Sequence, residues 1–343
     1  HNPGFSNTWG ESRMPEAWED DPRPFRRDNV DVILHTDQAK LDDVTVEWDV
    51  TRHGRHRRPG RPQVARRILV VIPVCLKYFA NRAANIMATW NRPGPHNAAI
   101  SVHFFFGDVA DQSSAYAIGI VLGVRKEQMH FLSVDDNEYP PVRKNTAMLK
   151  FASSLAAEKH FDWILKVDDD TYVAVDSLVN FVGKLPEKAA IFMGRRGIGR
   201  PEDRGRMGLE SPYCQGGPGY LLSAVALAMV APKFESCVKE ADASMERQFV
   251  FHSDVVIGKC VTQHCRIGCW EGRDIPAGQP SLPEYMKTLF THFGEKDPNN
   301  MSWPSQFLTV HPMKTLPHML SAQISHSENS LKLFPKPGQV LYD

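Results

Sequence analysis

The chain has 343 residues, 42% of them hydrophobic, enough to bury one large core or two modest ones. Forty Lys plus Arg balance forty Asp plus Glu, so no global field draws it to nucleic acid or to an anionic membrane surface. No run of 18 apolar residues occurs and the sequence opens at His1, so a membrane link is expected only through an N-terminal anchor upstream.

Residues 1–66 show no hydrophobic periodicity and carry early acids (Glu16, Glu19, Asp20, Asp21). They run into Arg52–Arg67, where seven arginines are mixed with glycine and proline. Such a segment reads as a stem or linker, with a docking patch for an acidic partner as the alternative. At Ile68 the pattern changes. Ile68-Leu69-Val70-Val71-Ile72 is a continuous apolar run of the kind buried on both faces of a parallel sheet, and Pro73 ends it. Phe79, Ala83, Ile86, Met87 and Trp90 then recur at helical spacing, with a stop expected at Asn91-Arg92-Pro93-Gly94-Pro95.

A second strand is predicted at Ile100–Phe106, closed by Gly107-Asp108, and a third at Met129–Val134. A helix over Ala147–Lys159 carries Met148, Phe151 and Leu155 on one stripe, and Trp163–Val167 reads as a fourth strand. Strands alternating with helices predict an α/β fold with a mainly parallel, doubly wound sheet, whose ligands bind at the carboxyl ends of the strands. Asp168, Asp169 and Asp170 begin where the fourth strand ends. Beyond Phe192 the chain is richer in Gly, Pro, Cys and aromatics, without a linker to set it apart. The expected domain is therefore 67–325, with a nucleotide half (67–190), an acceptor half (190–325) and a tail (326–343).

Five of the six cysteines (Cys75, Cys214, Cys237, Cys260, Cys265, Cys269) fall within residues 214–269, which suggests oxidised pairs. A zinc site is the rival reading. Its nearest spacing is Cys265-x3-Cys269 beside His264, and no C-x2-C pair occurs. One glycosylation sequon stands at Asn300-Met301-Ser302.

Three adjacent carboxylates in a crevice repel one another, so a cation is expected among them, and hard oxygen ligands suit Mg2+ or Mn2+. A solvated loop or a helix cap at Asp170 is the plainer alternative. The stretch Phe161-Asp162-Trp163-Ile164-Leu165-Lys166-Val167-Asp168-Asp169-Asp170-Thr171-Tyr172-Val173 resembles the metal motif of the inverting beta-1,3-glycosyltransferases, the family of Fringe and core 1 galactosyltransferase. Four further stretches agree in order: Arg82–Trp90, Gly216–Ser223, His252–Gly258 and the late His311. The likeness covers roughly 68–313, and Arg273-Asp274 also fits the core 1 branch. Two positions depart from the family pattern: Ser253 replaces the usual acid before Asp254, and Pro218 replaces a small residue in the glycine turn.

The resemblance implies a GT-A fold and a metal-dependent inverting transfer of a sugar, galactose in beta-1,3 linkage, from a UDP-sugar to a hydroxyl of a glycan or glycoprotein acceptor, in the Golgi or ER lumen or outside the cell. The lumenal part of a type II membrane protein is the form expected there, with a homodimer as an allowed assembly. It places Asp168 and Asp170 with His311 on the metal, and Asp168 and Asp169 toward the nucleotide. Asp254 becomes the catalytic base, a role that one carboxylate on the acceptor side suffices to fill. The plain readings are a surface histidine at His311 and a helix cap at Asp254. Arg82 and Lys150 match basic family positions toward the nucleotide, or are surface charges. Gly216, Gly217 and Gly219 let backbone approach a ligand, or form a tight turn. Cys237 and Cys260 resemble a family disulfide, leaving the partners of Cys214, Cys265, Cys269 and Cys75 open. The functional alternatives are a beta-1,3-N-acetylglucosaminyl- or glucosyltransferase of the same family, a noncatalytic chaperone or glycan-binding relative, and a two-metal phosphohydrolase, for which no second ligand cluster is evident.

Overall fold

The apolar run at Ile68–Pro73 forms strand β1, and its residues alternate between two cores. Ile68, Val70 and Ile72 enter one buried cluster, and Leu69 and Val71 enter the other. All five are fully buried, each contributing about 1.5–3 kcal/mol by its removal from water. The structure, a computed structural model, describes residues 66–92, 99–185, 188–197, 213–245, 252–271, 289–293 and 307–333. The expected stem up to residue 65, the stop at Pro93-Gly94-Pro95, Arg273-Asp274 and the Asn300 sequon lie outside the described residues.

β1 is followed by α1 (Leu76–Ala88), β2 (Ile100–Asp108), α2 (Gln112–Val121), β3 (Met129–Asp135), α3 (Val142–Lys159) and β4 (Trp163–Lys166). After the acidic triplet come β5 (Tyr172–Val173), α4 (Val175–Val182), β6 (Phe192–Gly194), β7 (Arg196–Gly197), β8 (Tyr213–Cys214), β9 (Tyr220–Ser223), α5 (Ala224–Val230) and α6 (Phe234–Met245). The described chain ends with α7 (Ser253–Cys265), β10 (Cys269–Trp270), β11 (Phe290–His292), β12 (Thr309–His311) and α8 (Leu316–Leu333).

Seven strands make one sheet in the order β10-β6-β9-β4-β1-β2-β3. β1 pairs in parallel with β2 and β4, β2 with β3, and β6 with β10; β9 alone runs antiparallel, against β4 and β6. The expected α/β, GT-A-type organisation is thus present, and strands from both sides of residue 190 share this sheet. Buried side chains of α1, α2, α4 and α8 pack on one face, and those of α3, α5, α6 and α7 on the other. A second sheet, β11-β12-β5, lies over the first face and carries His292 and His311.

Several boundaries differ from the sequence reading, each for a local reason. α1 stops at Ala88, where Thr89 returns its hydroxyl to Asn85 O at 2.6 Å, before the proline stop. α3 begins at Val142, five residues before the expected Ala147, because its polar first turn is buried. α2 was not read from sequence; Asp111 caps it by accepting from Ser114 N at 3.1 Å. The expected tail boundary at 326 falls inside α8, where His326 still bonds Ser177 at 2.9 Å, so the packed unit continues past it.

On the outer strands β2 and β3, His103 and His130 share a hydrogen bond of 2.8 Å, and Ser101 meets the other nitrogen of His103 at 2.9 Å. Burial, then the neighbouring charge of His130, holds His103 down to about 3, and burial holds His130 down to about 4. Unfolded, both titrate near 6.5, so the unfolded chain binds more protons as the pH falls below that value. The pair's contribution is complete above pH 6.5 and is lost progressively toward pH 4, by about 1–2 kcal/mol per group at pH 5. Urea midpoints at pH 7.5 and pH 5 measure this. His130→Phe is expected to flatten the difference, and an unchanged difference would remove the assignment.

Candidate active site

The triplet follows β4 at the carboxyl edge of the sheet and is held on every side. Asp170 O accepts from Met313 N at 2.6 Å, Thr171 O from Trp90 Nε1 at 3.1 Å, and Gly217 O from Thr171 Oγ1 at 2.9 Å. The antiparallel pairing of β5 with β12 brings His311 against the triplet. His311 Nε2 lies 3.1 Å from Asp170 Oδ1. Single ligand atoms from Asp168, Asp170 and His311 all lie within 4.8 Å of one another. Two carboxylates and an imidazole so gathered fit a divalent cation of the Mn2+ or Mg2+ type.

Arg82 reaches over from α1, with Nη1 at 3.5 Å from Asp170 Oδ2 and Nε at 3.9 Å from Asp169 Oδ1. Burial pushes Asp170 up, but the hydrogen bond and charge of His311, with Arg82 and Lys314 behind them, bring it below the usual carboxylate range. Burial and the charge of Asp170 push Asp169 up to about 7, against the pull of Arg82. Neighbouring carboxyls thus sit in opposite electrostatic states.

The glycine turn joins this cluster to Asp254. Gly219 N bonds Gly216 O at 3.1 Å, and Gly219 has φ +86°. A Cβ on Gly217 would lie 2.7 Å from the His311 ring, and one on Gly216 3.1 Å from Asp254 Cβ. Asp254 stands in the first turn of α7, where His252, not Asp254, holds the capping position. Its Oδ2 accepts from Gly216 N at 2.9 Å across 38 residues, and its Oδ1 from Val255 N at 2.9 Å. Burial pushes Asp254 above the ordinary carboxylate range, opposed by the Gly216 hydrogen bond and the charges of Lys166 and His252.

The structure therefore brings together Arg82, Asp168, Asp169, Asp170, Gly216, Gly217, Gly219, Asp254 and His311. Lys150 does not join them. It lies exposed on α3, where its charge bears on Glu235 of α6. Two residues without an assigned role in the sequence reading do join. Lys166, buried at the end of β4, salt-bridges Asp168 and donates to Gly216 O at 3.2 Å. His292 Nδ1 meets His311 Nδ1 at 3.1 Å, their rings stacked at 5.1 Å. A buried lysine after an apolar strand run is a signal the sequence did offer. His292 offered none, because it reaches the site only through the parallel register of β11 with β12, which pairs it with His311.

The cysteines resolve into Cys214–Cys269 and Cys237–Cys260, with Cys75 and Cys265 free. Cys269 is thereby removed from the zinc spacing, and Cys237 and Cys260, which lie near His264, are bonded to each other.

An α/β chain with an acid-and-histidine cluster at a strand end, faced by a carboxylate across a glycine turn, is built to hold a polar ligand at that edge. Residues 64–271 match the Fringe-like family, and the chain belongs to it. It is 28% identical to mouse chondroitin sulfate synthase 3 over 57% of this chain and 20% of that one. It is 24% identical to the Xenopus laevis glycoprotein-N-acetylgalactosamine 3-beta-galactosyltransferase 1 over 61% of this chain and 49% of that one. The chain thus spans about a fifth and about half of these relatives. Among solved structures, an active-site mutant of LgtC is similar at a TM-score of 0.43 and 12% identity, covering 71% of this chain and 86% of that one.

A side chain at Gly219 would meet Lys166 O at 2.6 Å and Val167 Cγ1 at 2.7 Å, in a backbone conformation that disfavours one. Gly219→Ala is expected to cost about 1–3 kcal/mol, read as a lowered urea midpoint. A wild-type midpoint would mean that the turn does not depend on this glycine.

Proposed function

We propose that the chain is a metal-dependent inverting glycosyltransferase, moving a hexosyl unit from a UDP-sugar to a hydroxyl of a glycan or glycoprotein. The observation that carries this reading is the placement of Asp254 against the Gly216 peptide, with Lys166 between it and the Asp168-Asp170-His311 cluster. Galactose in β-1,3 linkage is the unit we favour, on the relative whose name carries that transfer. A chondroitin-building transfer is the second reading, supported by the higher identity of the chondroitin synthase relatives.

Asp168, Asp170 and His311 would hold Mn2+ or Mg2+, which when bound neutralises charge gathering on the departing diphosphate. Arg82 offers further positive charge at the same edge. Asp254 takes the proton from the attacking acceptor hydroxyl, and its raised affinity for protons suits a base. Gly216 N fixes one carboxylate oxygen of Asp254, so the carboxylate cannot swing away from the cluster. Water must be excluded for transfer to outrun hydrolysis.

We assign 67–325, with the continuation of α8, to the catalytic domain and 1–66 to a stem. Two disulfides support a secretory setting, the Golgi or ER lumen or the exterior, because the cytosol keeps thiols reduced. No described helix is long and apolar enough to cross a membrane.

Removing divalent ions with EDTA is expected to abolish UDP release from UDP-sugars, and Asp170→Asn to resist rescue by added Mn2+. Full turnover without metal would overturn the metal assignment. Asp254→Asn should lower kcat by about 100-fold or more while UDP-sugar binding is kept, with only a modest drop in melting temperature, because its single side-chain oxygen cannot accept from both Gly216 N and Val255 N. Because burial raises Asp254, the rate of the wild type should fall with decreasing pH at a point above the ordinary carboxylate range. The Asp254→Asn variant should lack that limb; near-normal turnover in it would remove Asp254 as the base.

A further inference from the structure

We propose that the hollow between the β3–α3 loop and α6, with Tyr139 on its wall and His252 beside it, is an acceptor subsite for an uncharged pyranose ring. This deepens the glycosyltransferase reading and rests on it. The hollow has a volume of about 310 Å3 and is lined by Asp135, Asn137, Glu138, Tyr139, Arg143 and Asp242, a size at the lower end of ligand clefts.

Tyr139 is 81% exposed, so it adds little to the core. Its ring stands edge to face with His252 at 6.4 Å, and His252 precedes Asp254 by two residues at the head of α7. A pyranose presents a face of C–H groups carrying partial positive charge, which suits the negative face of an aromatic ring, while its hydroxyls need polar partners around the rim. The hollow supplies both. Asn145, in the first turn of α3, donates to Ser253 Oγ at 2.8 Å and so ties this end of α3 to the residue before Asp254.

The charge of the lining sets the ligand class. Arg143 is engaged by Glu138 at 2.8 Å and by Asp242 at 2.7 Å, and Asp135 adds a third carboxylate. Three carboxylates against one guanidinium repel a uronate or a sulfated ring and accept hydrogen bonds from neutral hydroxyls.

Saturation-transfer NMR on the full chain, with p-nitrophenyl N-acetyl-β-galactosaminide and p-nitrophenyl β-glucuronide as probes, tests this directly. The neutral glycoside should bind and the glucuronide should bind far more weakly. Tyr139→Ala should weaken the neutral glycoside by about tenfold, and Tyr139→Phe, which keeps the ring, should bind it as the wild type does. The proposal is overturned if the wild type does not bind the neutral glycoside, if the glucuronide binds equally well, or if Tyr139→Ala binds unchanged. Failure of the glycosyltransferase reading would show separately, as no UDP released from any UDP-sugar, because this binding is read without turnover.

Discussion

The peptide of Gly216 is gripped on both sides, its N–H by the Asp254 carboxylate and its C=O by the Lys166 ammonium, and Lys166 is also paired with Asp168. This chain of contacts fixes the distance between the acidic cluster and Asp254, although the two lie more than eighty residues apart in sequence. It also explains why the turn is built of glycine. A side chain at 216 would press on Asp254, one at 217 on His311, and one at 219 on the backbone of β4. Four carboxylates, Asp168, Asp169, Asp170 and Asp254, converge here near Lys166, Arg82 and Lys314. Burying charge costs several kcal/mol per ion unless each is well paired.

The central sheet was legible because β1 is buried on both faces and reads as an unbroken apolar run, while β2, β3 and β4 are largely apolar with a few polar positions. β1, β2, β3 and β4 all begin where the sequence pattern begins. What escaped was structure whose residues serve something other than the core. The first turn of α3 carries Lys144 and Asn145, polar by type yet 2% exposed. Lys144 is buried there because it holds Val74 O at 2.9 Å and Asp136 at 2.8 Å, tying the ends of β1 and β3 together. No periodicity reports such a role. Lys150, which matches a family position by spacing, faces solvent on α3, whose neighbouring Met148, Leu149 and Ala152 are buried.

The second sheet is built of strands of two and three residues, too short to display alternation. It nevertheless decides the site, since it delivers His311 and His292. Position along the chain revealed the first through the family likeness and could not reveal the second. The cysteines behave similarly. Clustering signalled oxidation, and the likeness suggested Cys237 with Cys260, but Cys214 finds Cys269 only because β8 and β10 lie side by side near β6.

The two departures from the family pattern are absorbed by hydrogen bonds that leave the machinery in place. Pro218 has no N–H to satisfy, and its carbonyl accepts from Thr309 Oγ1 at 2.5 Å, while the turn closes through Gly219 N and Gly216 O. Ser253, where an acid is usual, is held by Asn145, and Asp254 beside it keeps its bond to Gly216. An acid at 253 would have added a fifth negative charge next to Asp254 and raised its proton affinity further by simple repulsion. The serine spares Asp254 that repulsion and gives Asn145 Nδ2 an acceptor. The geometry that joins the acidic cluster to Asp254 is thus kept despite both substitutions.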